Sequence, residues 1–378
     1  MLDVAILGGG PVGAAVAAMA AGRGLRMEVF EAREFAATDA RTLALSDASR
    51  ERLRDALAWP AADATPIAAI HVSQKGAPGR TLIHASDLDL EALGYTVPFT
   101  ALQQALHERL AQAVVPLRFS HECQDIRLEP GAATLRFRDG SEVRSRLLVL
   151  ADGGANAQRI PGIGFSEKDY GQHAVVAAVR TDRPHRDIAY ERFTPQGPVA
   201  LLPVADRYAL VWTATPERAA QLIALPEEAF LAQLQAHFGD RAGRFVSASG
   251  RASFPLRLRS VNTPIALRTV IVGNAAQALH PIAGQGLNLG LRDATALAQL
   301  LVSTPAQALG ERPMLDAYRA MRRRDAALGI GFTDFLVSSF ADTRIVPTLG
   351  RAAALAALDL FRPARRLFAA RMVHGAAR

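Results

Sequence analysis

Near the start of the chain, Gly8-Gly9-Gly10-Pro11-Val12-Gly13 has the residue types and spacing to hold a phosphate-bearing ligand. In the frame G-x-G-x-x-G, Gly8 permits a tight turn, Gly10 lets the backbone approach a pyrophosphate, and Gly13 lets a helix pack close to a strand. A helix opening there presents free N–H groups and a partial positive charge to phosphates. Glu31, ending the next apolar run, can accept both ribose hydroxyl hydrogens of an adenosine. Glycine-rich turns that bind nothing share this pattern. The apolar run before it, the Ala-rich stretch after it and the trailing acid weigh against that reading. The motif does not choose between a nicotinamide and a flavin dinucleotide.

Two later segments carry the same kind of chemistry. LLVLADGGANAQR (147–159) reads as a buried strand ending in Asp152-Gly153, with Arg159 shortly after. Taken alone, Asp152 is as readily a turn residue. VIVGNAAQALHPIAGQGLNLGLRDA (270–294) reads as a strand ending at Gly273-Asn274. His280-Pro281 follows, and then Gly284-Gln285-Gly286-Leu287-Asn288 opens a helix running through Asp293. Glycines ahead of a helix again favour close backbone approach, although a plain glycine-rich cap would look alike. His280 is the candidate catalytic base, weighed against a structural histidine that shapes its turn. No His or carboxylate stands at ligand spacing from it, so no metal site is expected.

These residues need elements to position them. LDVAIL (2–7), an Ala-rich stretch to Ala21 and MEVFE (27–31) form a β-turn-α-β unit. A helix is expected over 41–57 with Ser46 or Asp47 as cap, then strands over 67–98 with turns at Lys75-Gly76 and Pro78-Gly79. A second helix is expected over 100–113, capped by Thr100. Strands follow at 117, 133 and 147, with a hairpin at Asp139-Gly140. Residues 174–260 read as several short strands and one helix near 226–238, and the remainder as mostly helical. The expected architecture is α/β: a Rossmann-like dinucleotide-binding domain, an interleaved sheet-based substrate domain and a helical C-terminal segment. The expected division is 1–66, 99–165 and 262–310 for the first, 67–98 and 166–261 for the second, and 311–378 for the third.

Composition narrows the function. Half of the 378 residues are hydrophobic, enough for substantial cores. The net charge of +7 is carried almost wholly by arginine, the only lysines being Lys75 and Lys168. The arginines are scattered, without the stripe or module of a nucleic-acid binder; anionic lipid or a flavin pyrophosphate suits them better. The single cysteine, Cys123, excludes an intramolecular disulfide and fits a reducing compartment. No apolar run is long enough to span a bilayer. The expected location is cytoplasmic, with peripheral contact on the inner membrane or a partner protein through the Arg-rich segment AALDLFRPARRLFAARM (356–372) as the variant, against a plain amphipathic helix packed on the body.

In order and spacing the three glycine segments resemble the flavoprotein aromatic hydroxylases typified by p-hydroxybenzoate hydroxylase. More closely, GNAAQALHPIAGQGLNLGLRD, ARTLALS (40–46), AIHVSQKG (69–76), ALGYTVP (92–98) and FTDFLVSSF (332–340) are similar to the ubiquinone-biosynthesis hydroxylases of the 2-octaprenyl-6-methoxyphenol hydroxylase type. The resemblance covers most of the chain. It implies that Gly8, Gly10, Gly13 and Glu31 hold the ADP half of FAD, that Arg33 completes an acid-x-base pattern, and that Arg41 lies near the pyrophosphate. Asp152 and Arg159 would belong to the central motif, in contact with FAD or nicotinamide. Gly284, Gln285, Gly286, Leu287 and Asn288 would lie along the isoalloxazine. Two positions depart from the family: its late acid is Asn274 here, and its Asn-Arg pair is Phe99-Thr100, leaving Gln103 to supply that contact.

The implied reaction inserts one atom of O2 into a phenol ring. The cofactor carries the hard step, and the protein must bind the phenol, help ionise it and keep water out. A polyprenyl substrate would need an apolar channel, for which strands in 174–212 and Phe332, Phe335 and Phe340 are candidates beside ordinary core packing. The sequence has no second G-x-G-x-x-G, so the reductant is either transiently bound NAD(P)H or a protein electron donor. Other ubiquinone-biosynthesis proteins are the natural partners. The rival readings are a small-phenol hydroxylase, a prenyl-chain reductase on the same fold, and a flavin-binding scaffold without turnover.

Overall fold

The computed structural model describes residues 1–35, 39–76, 79–279, 284–341 and 345–375. His280 and Pro281 lie outside the described residues, as do the side chains of Phe332, Phe335 and Phe340.

The chain opens with β1 (Leu2–Leu7), α1 (Pro11–Ala20) and β2 (Met27–Phe30), the unit expected from the glycine motif. Next come β3 (Thr42–Ser46), α2 (Asp47–Asp55), β4 (Thr65–Ile67), β5 (Ala69–Gln74), β6 (Arg80–His84), β7 (Gly94–Pro98) and α3 (Phe99–Gln112). A short β8 (Leu117–Arg118) precedes β9 (Cys123–Glu129), β10 (Ala132–Phe137) and β11 (Glu142–Leu150). The middle of the chain forms β12 (Phe165–Thr181), β13 (Ile188–Phe193), β14 (Val199–Val204), β15 (Arg207–Ala214), α4 (Pro216–Ala224), α5 (Glu227–Phe238) and β16 (Phe245–Val261). The chain then returns through β17 (Ile265–Ala266), β18 (Thr269–Ile271) and β19 (Gln277–Ala278). It continues as α6 (Gln285–Ser303), α7 (Arg312–Ala341), α8 (Ile345–Leu360) and α9 (Arg362–His374).

The first sheet has the order β17-β18-β11-β1-β2-β8, with β9 and β10 reached through β11. Neighbours from β18 to β8 run parallel. The chain leaves β1 toward β2 on one side and returns as β11 on the other. The carboxyl end of β1 is therefore a switch point, where open α/β sheets bind ligands. Ala-rich α1 lies buried against this sheet with α3 and α6, because small side chains let three helices approach one another. The second sheet, β19-β16-β12-β15-β14-β13-β5-β6, is antiparallel except for the parallel β13–β5 pair. A small third sheet, β3-β7-β4, lies between them. Its β4 runs through the expected boundary at 66/67.

Three sequence expectations need correction. Residues 42–46 form a strand rather than the start of a helix: Thr42 to Ser46 pair antiparallel with Pro98 to Gly94, and the helix begins only after Ser46. Ser46 does cap it, accepting from the Ser49 N–H at 3.2 Å. Thr100 does not cap α3, which starts at Phe99 after Pro98 and has no side-chain cap. Finally, the middle region adds two 17-residue strands and a second helix to the expected short strands and helix near 226–238. Gly171 and Gly250 have φ of +63° and +64° and fall at register shifts inside the β12–β16 ladder. The second helix was signalled by Thr215-Pro216, with Thr215 capping and Pro216 in the first turn.

The Cys123 thiol is 7% exposed and donates to the Asp125 carbonyl at 3.4 Å. Burial pushes it up to about 11, which keeps the thiolate scarce at neutral pH. At pH 8 the folded protein should therefore leave an aromatic disulfide reagent unconsumed, whereas the denatured chain should titrate one thiol. Rapid reaction of the folded protein would contradict this packing.

Candidate functional site

The cradle is built where side chains are missing. Gly8 has φ +108°, and a Cβ there would be driven into the Ala151 carbonyl at the end of β11. A Cβ on Gly13 would collide with the Gly8 carbonyl. Gly10 is different: a Cβ there meets nothing within 4 Å. Gly8 and Gly13 thus serve packing, while Gly10 faces open space at the N-terminus of α1, as close approach by a pyrophosphate requires. The Ala151 N–H donates to the Leu7 carbonyl at 2.8 Å, bringing the Asp152-Gly153 segment alongside this turn.

Glu31 is 9% exposed. Its two carboxylate oxygens accept from the Gly9 N–H at 2.9 Å and the Arg33 N–H at 3.1 Å. Each oxygen keeps a lone pair for a ribose hydroxyl. The Arg33 side chain is largely exposed, 3.9 Å from Glu31. Two residues not singled out in the sequence complete the setting. His107 of α3 stands with Nε2 2.7 Å from the Gly9 carbonyl, and Val12 fits beside Gly273 and Gly290, where added Cβ atoms would come within 2.9 and 2.7 Å of it. Val12 thereby joins the first glycine motif to the last. Asn274 follows Gly273, exposed at the end of β18.

Gly284, with φ +60°, begins α6 against Ala44 of β3. Asn288 is 3% exposed, and its amide is fully used. Its Oδ1 accepts from the Ser46 N–H at 2.9 Å and the Ser49 hydroxyl at 2.7 Å, while Nδ2 donates to the Ala44 and Gly284 carbonyls at 3.0 and 2.8 Å. The side chain pins the first turn of α6 to β3, so its part is to position that turn. Gly286 and Leu287 are half-buried there, and Gln285 reaches α9, its Nε2 3.5 Å from the Met372 carbonyl.

Asp152 also turns inward. Its carboxylate accepts from the Gly154 and Asn156 N–H groups at 2.9 and 2.8 Å and from Asn156 Nδ2 at 2.7 Å. Arg159 Nη1 donates to the Cys123 and Gln124 carbonyls and to Asn156 Oδ1, each at 3.0 Å. Both residues hold the loop in shape and offer a ligand its backbone. Arg41 pairs with Asp39 and lies 5.4 Å from the centre of the Phe99 ring. Gln103 is 2% exposed, yet its Oε1 has no hydrogen-bond partner. A buried acceptor left open is costly unless a ligand or water completes it. Together with the open face of Gly10 and the free lone pairs of Glu31, it fits a bound dinucleotide.

Sequence reading missed the ion network behind the site. Arg322 Nε donates to Asp293 at 2.6 Å, and Arg322 Nη1 and Arg292 Nε donate to Asp325 at 2.7 and 2.8 Å. Asp293 also accepts from the Gly273 N–H at 3.0 Å and from Gln277 Nε2 at 2.6 Å. All four charged residues are at most 7% exposed. The signal was the spacing Tyr318, Arg322, Asp325, one stripe of α7, hidden by the run Arg322-Arg323-Arg324.

The second sheet leaves a cleft on one of its two faces. Val175, Leu201, Tyr208, Leu210 and Trp212 on one face of that sheet are sealed by Phe230, Leu234 and Phe238. On the opposite face Val72, Val176, Ala200, Leu202 and Val211 are only half-buried. Farther along that face, Ile83 and Ile70 pack with Ala369 and Val373 of α9. α9 also meets Gln285, so it joins that face to the first turn of α6. A cavity of about 360 Å³ lies between α6, α7 and α9, lined by Gln285, Arg292, Asp325, Leu328, Phe368 and Met372 among others.

Two outcomes are expected. Gly10→Leu should leave the melting temperature of the cofactor-free protein unchanged but abolish FAD retention, whereas Gly13→Ala should lower both; equal melting losses would remove the distinction between ligand-facing and packing glycines. Arg322→Ala strands a buried Asp293 and should cost about 3–5 kcal/mol in urea unfolding, with Asp293→Asn costing less.

The family model described as FAD binding domain matches residues 1–331. The ubiquinone hydroxylase UbiL of Rhodospirillum rubrum is 36% identical, over 97% of this chain and 88% of its own length. The 3-demethoxyubiquinol 3-hydroxylase of Escherichia coli is 33% identical, over 93% of this chain and 94% of its own. Among solved structures, PqsL of Pseudomonas aeruginosa in complex with 2-aminobenzoylacetate superposes with a TM-score of 0.80 at 22% identity, covering 94% of this chain and 99% of that one. The chain thus belongs to the FAD-binding-domain family of flavin-dependent monooxygenases.

Proposed function

We propose that this chain hydroxylates the aromatic ring of a polyprenylated phenol in ubiquinone biosynthesis, using FAD and O2. The observation that carries this reading is the cleft itself. α9 joins the half-open apolar sheet face to the glycine turn of α6, where the resemblance places the isoalloxazine. The two ubiquinone hydroxylases match almost the whole chain, including that sheet. Bound FAD supplies oxygen activation; the chain supplies the rest. Gly10, Glu31 and Gln103 hold the dinucleotide in the turn that Gly8 and Gly13 shape. The segments at Arg33, Arg41, Asp152, Arg159 and Asn274 border it, and residues 284–288 set the ring edge. The apolar cleft orients the phenol and excludes water, and the cavity between α6, α7 and α9 takes the prenyl tail. His280 remains a proposed catalytic residue. The boundaries at 66, 98, 165, 261 and 310 remain the proposed division into flavin, substrate and C-terminal regions.

Peripheral membrane contact is part of the proposal. Among the described residues no helix is long and apolar enough to cross a membrane. Leu360, Phe361 and Leu367 are 85%, 60% and 64% exposed, close in sequence to Arg362 and Arg366, a pairing that suits an anionic lipid surface. A substrate with a long prenyl tail would be taken from that surface. The reductant is NAD(P)H or a protein donor.

Deleting the gene in its source organism tests the reading by mass spectrometry of the quinone pool. A prenylated phenol lacking one oxygen should accumulate, and its structure identifies the ring carbon. An unchanged pool in a strain without a redundant hydroxylase would favour a small-phenol substrate.

A further inference from the structure

The half-open face of the second sheet carries one carboxylate at its centre. Glu191 of β13 pairs in register with Val72 of β5 and Ala200 of β14. It therefore points away from Tyr190 and the sealed core, into the cleft. Its lateral neighbours on that face are apolar, with Leu202, Val211 and Val176 beyond. The side chain keeps a solvent-reachable edge, and among the described residues it has no hydrogen-bond or ion-pair partner. A carboxylate desolvated without a partner is costly, and a structural role gives no account of it. We infer that Glu191 is a catalytic residue, the base that takes the proton of the substrate's phenolic hydroxyl. This inference rests on the ring-hydroxylation reading and names the group that performs its proton transfer.

The step balances as follows. The phenolic O–H breaks, its proton goes to the Glu191 carboxylate, and its electron pair enters the ring. The ring carbon forms the new C–O bond with one atom of O2 as the O–O bond breaks. The other oxygen leaves as water, the two electrons coming from the reductant through FAD. The ring carbon then loses its hydrogen as a proton, and the phenolic oxygen recovers one from Glu191. The carboxylate ends as it began.

Burial alone pushes the Glu191 carboxyl up to about 7, near the range in which a general base works best. The charged groups on surrounding elements are occupied or remote. Asp359 of α8 accepts from the Leu82 N–H, Arg207 at the far end of β15 pairs with Asp206, Arg365 of α9 pairs with Asp87, and Arg192 lies on the other face against Ser73. Arg351 of α8, Arg371 of α9 and Tyr95 of β7 complete the set, and none of them contributes to the Glu191 shift.

The test uses full-length FAD-loaded enzyme, reduced anaerobically with dithionite and mixed with oxygenated buffer and 2-prenylphenol, so no biological electron donor is needed. Wild-type hydroxylation should rise with pH through an inflection near 7, because only the ionised carboxylate accepts the proton. Glu191→Gln should retain FAD and its melting temperature, lose the inflection and slow by about 100-fold. The loss should shrink with a ring-fluorinated analogue that is already ionised at pH 8. Wild-type product matched by an equal rate and inflection in Glu191→Gln would overturn the role of Glu191 alone. No product from the wild type would overturn the hydroxylase reading and the role with it. Should the variant lose FAD, the wild-type profile decides, and a flat profile between pH 6 and 8 overturns the assignment.

Discussion

The structure depends on backbone segments approaching more closely than side chains would allow. Gly8 lies under Ala151, Gly13 under Gly8, and Val12 against Gly273 and Gly290. These contacts draw the ends of β1, β11 and β18 and the starts of α1 and α6 to one point. Free N–H groups and helix dipoles then add up in one place. A methyl group at Gly8 or Gly13 would force those segments apart, and the later motifs could not reach the first. Behind this point, Asp293 secures the turn after β18 to α6 and α7 through hydrogen bonds at most 3.0 Å long.

The two large sheets divide the labour by what covers their faces. The second sheet has one face sealed by aromatic and aliphatic side chains of α5 and the other left partly open. Strand alternation makes this separation cheap, since neighbouring residues such as Tyr190 and Glu191 belong to different environments without any break in the ladder. A partnerless carboxylate in the middle of the open face carries a desolvation cost, and it gains reach into the cleft.

Much of the flavin half was legible in the sequence. Glycine spacing, the trailing Glu31 and the strand–turn–helix order are local signals, and the structure realises them with few changes. What stayed hidden depends on long-range contact. Asn288 reads as a ring contact because its motif is contiguous, yet its four hydrogen bonds reach back to residues 44–49 as well as its own turn. Asp152 and Arg159 look ligand-facing in a linear motif, but each finds partners in or near its own loop. Strand β3 looks helical until its ladder with β7 is known. Glu191 carried no sequence signal, because an isolated carboxylate in a strand is ordinary until its neighbours across the sheet are seen to be Val72 and Ala200.

The order of strands in the first sheet also bears on how the chain is made. β1 and β2 pair early, but β11 comes more than 130 residues after β1, and its other parallel partner, β18, begins only at Thr269. On the ribosome, one edge of the central strand waits for most of the chain to emerge, and sequence-distant parallel pairing is slow to form. The nascent protein passes through a long interval with an unpaired apolar edge, so its yield in a cell should depend on chaperone protection of that edge as well as on final stability.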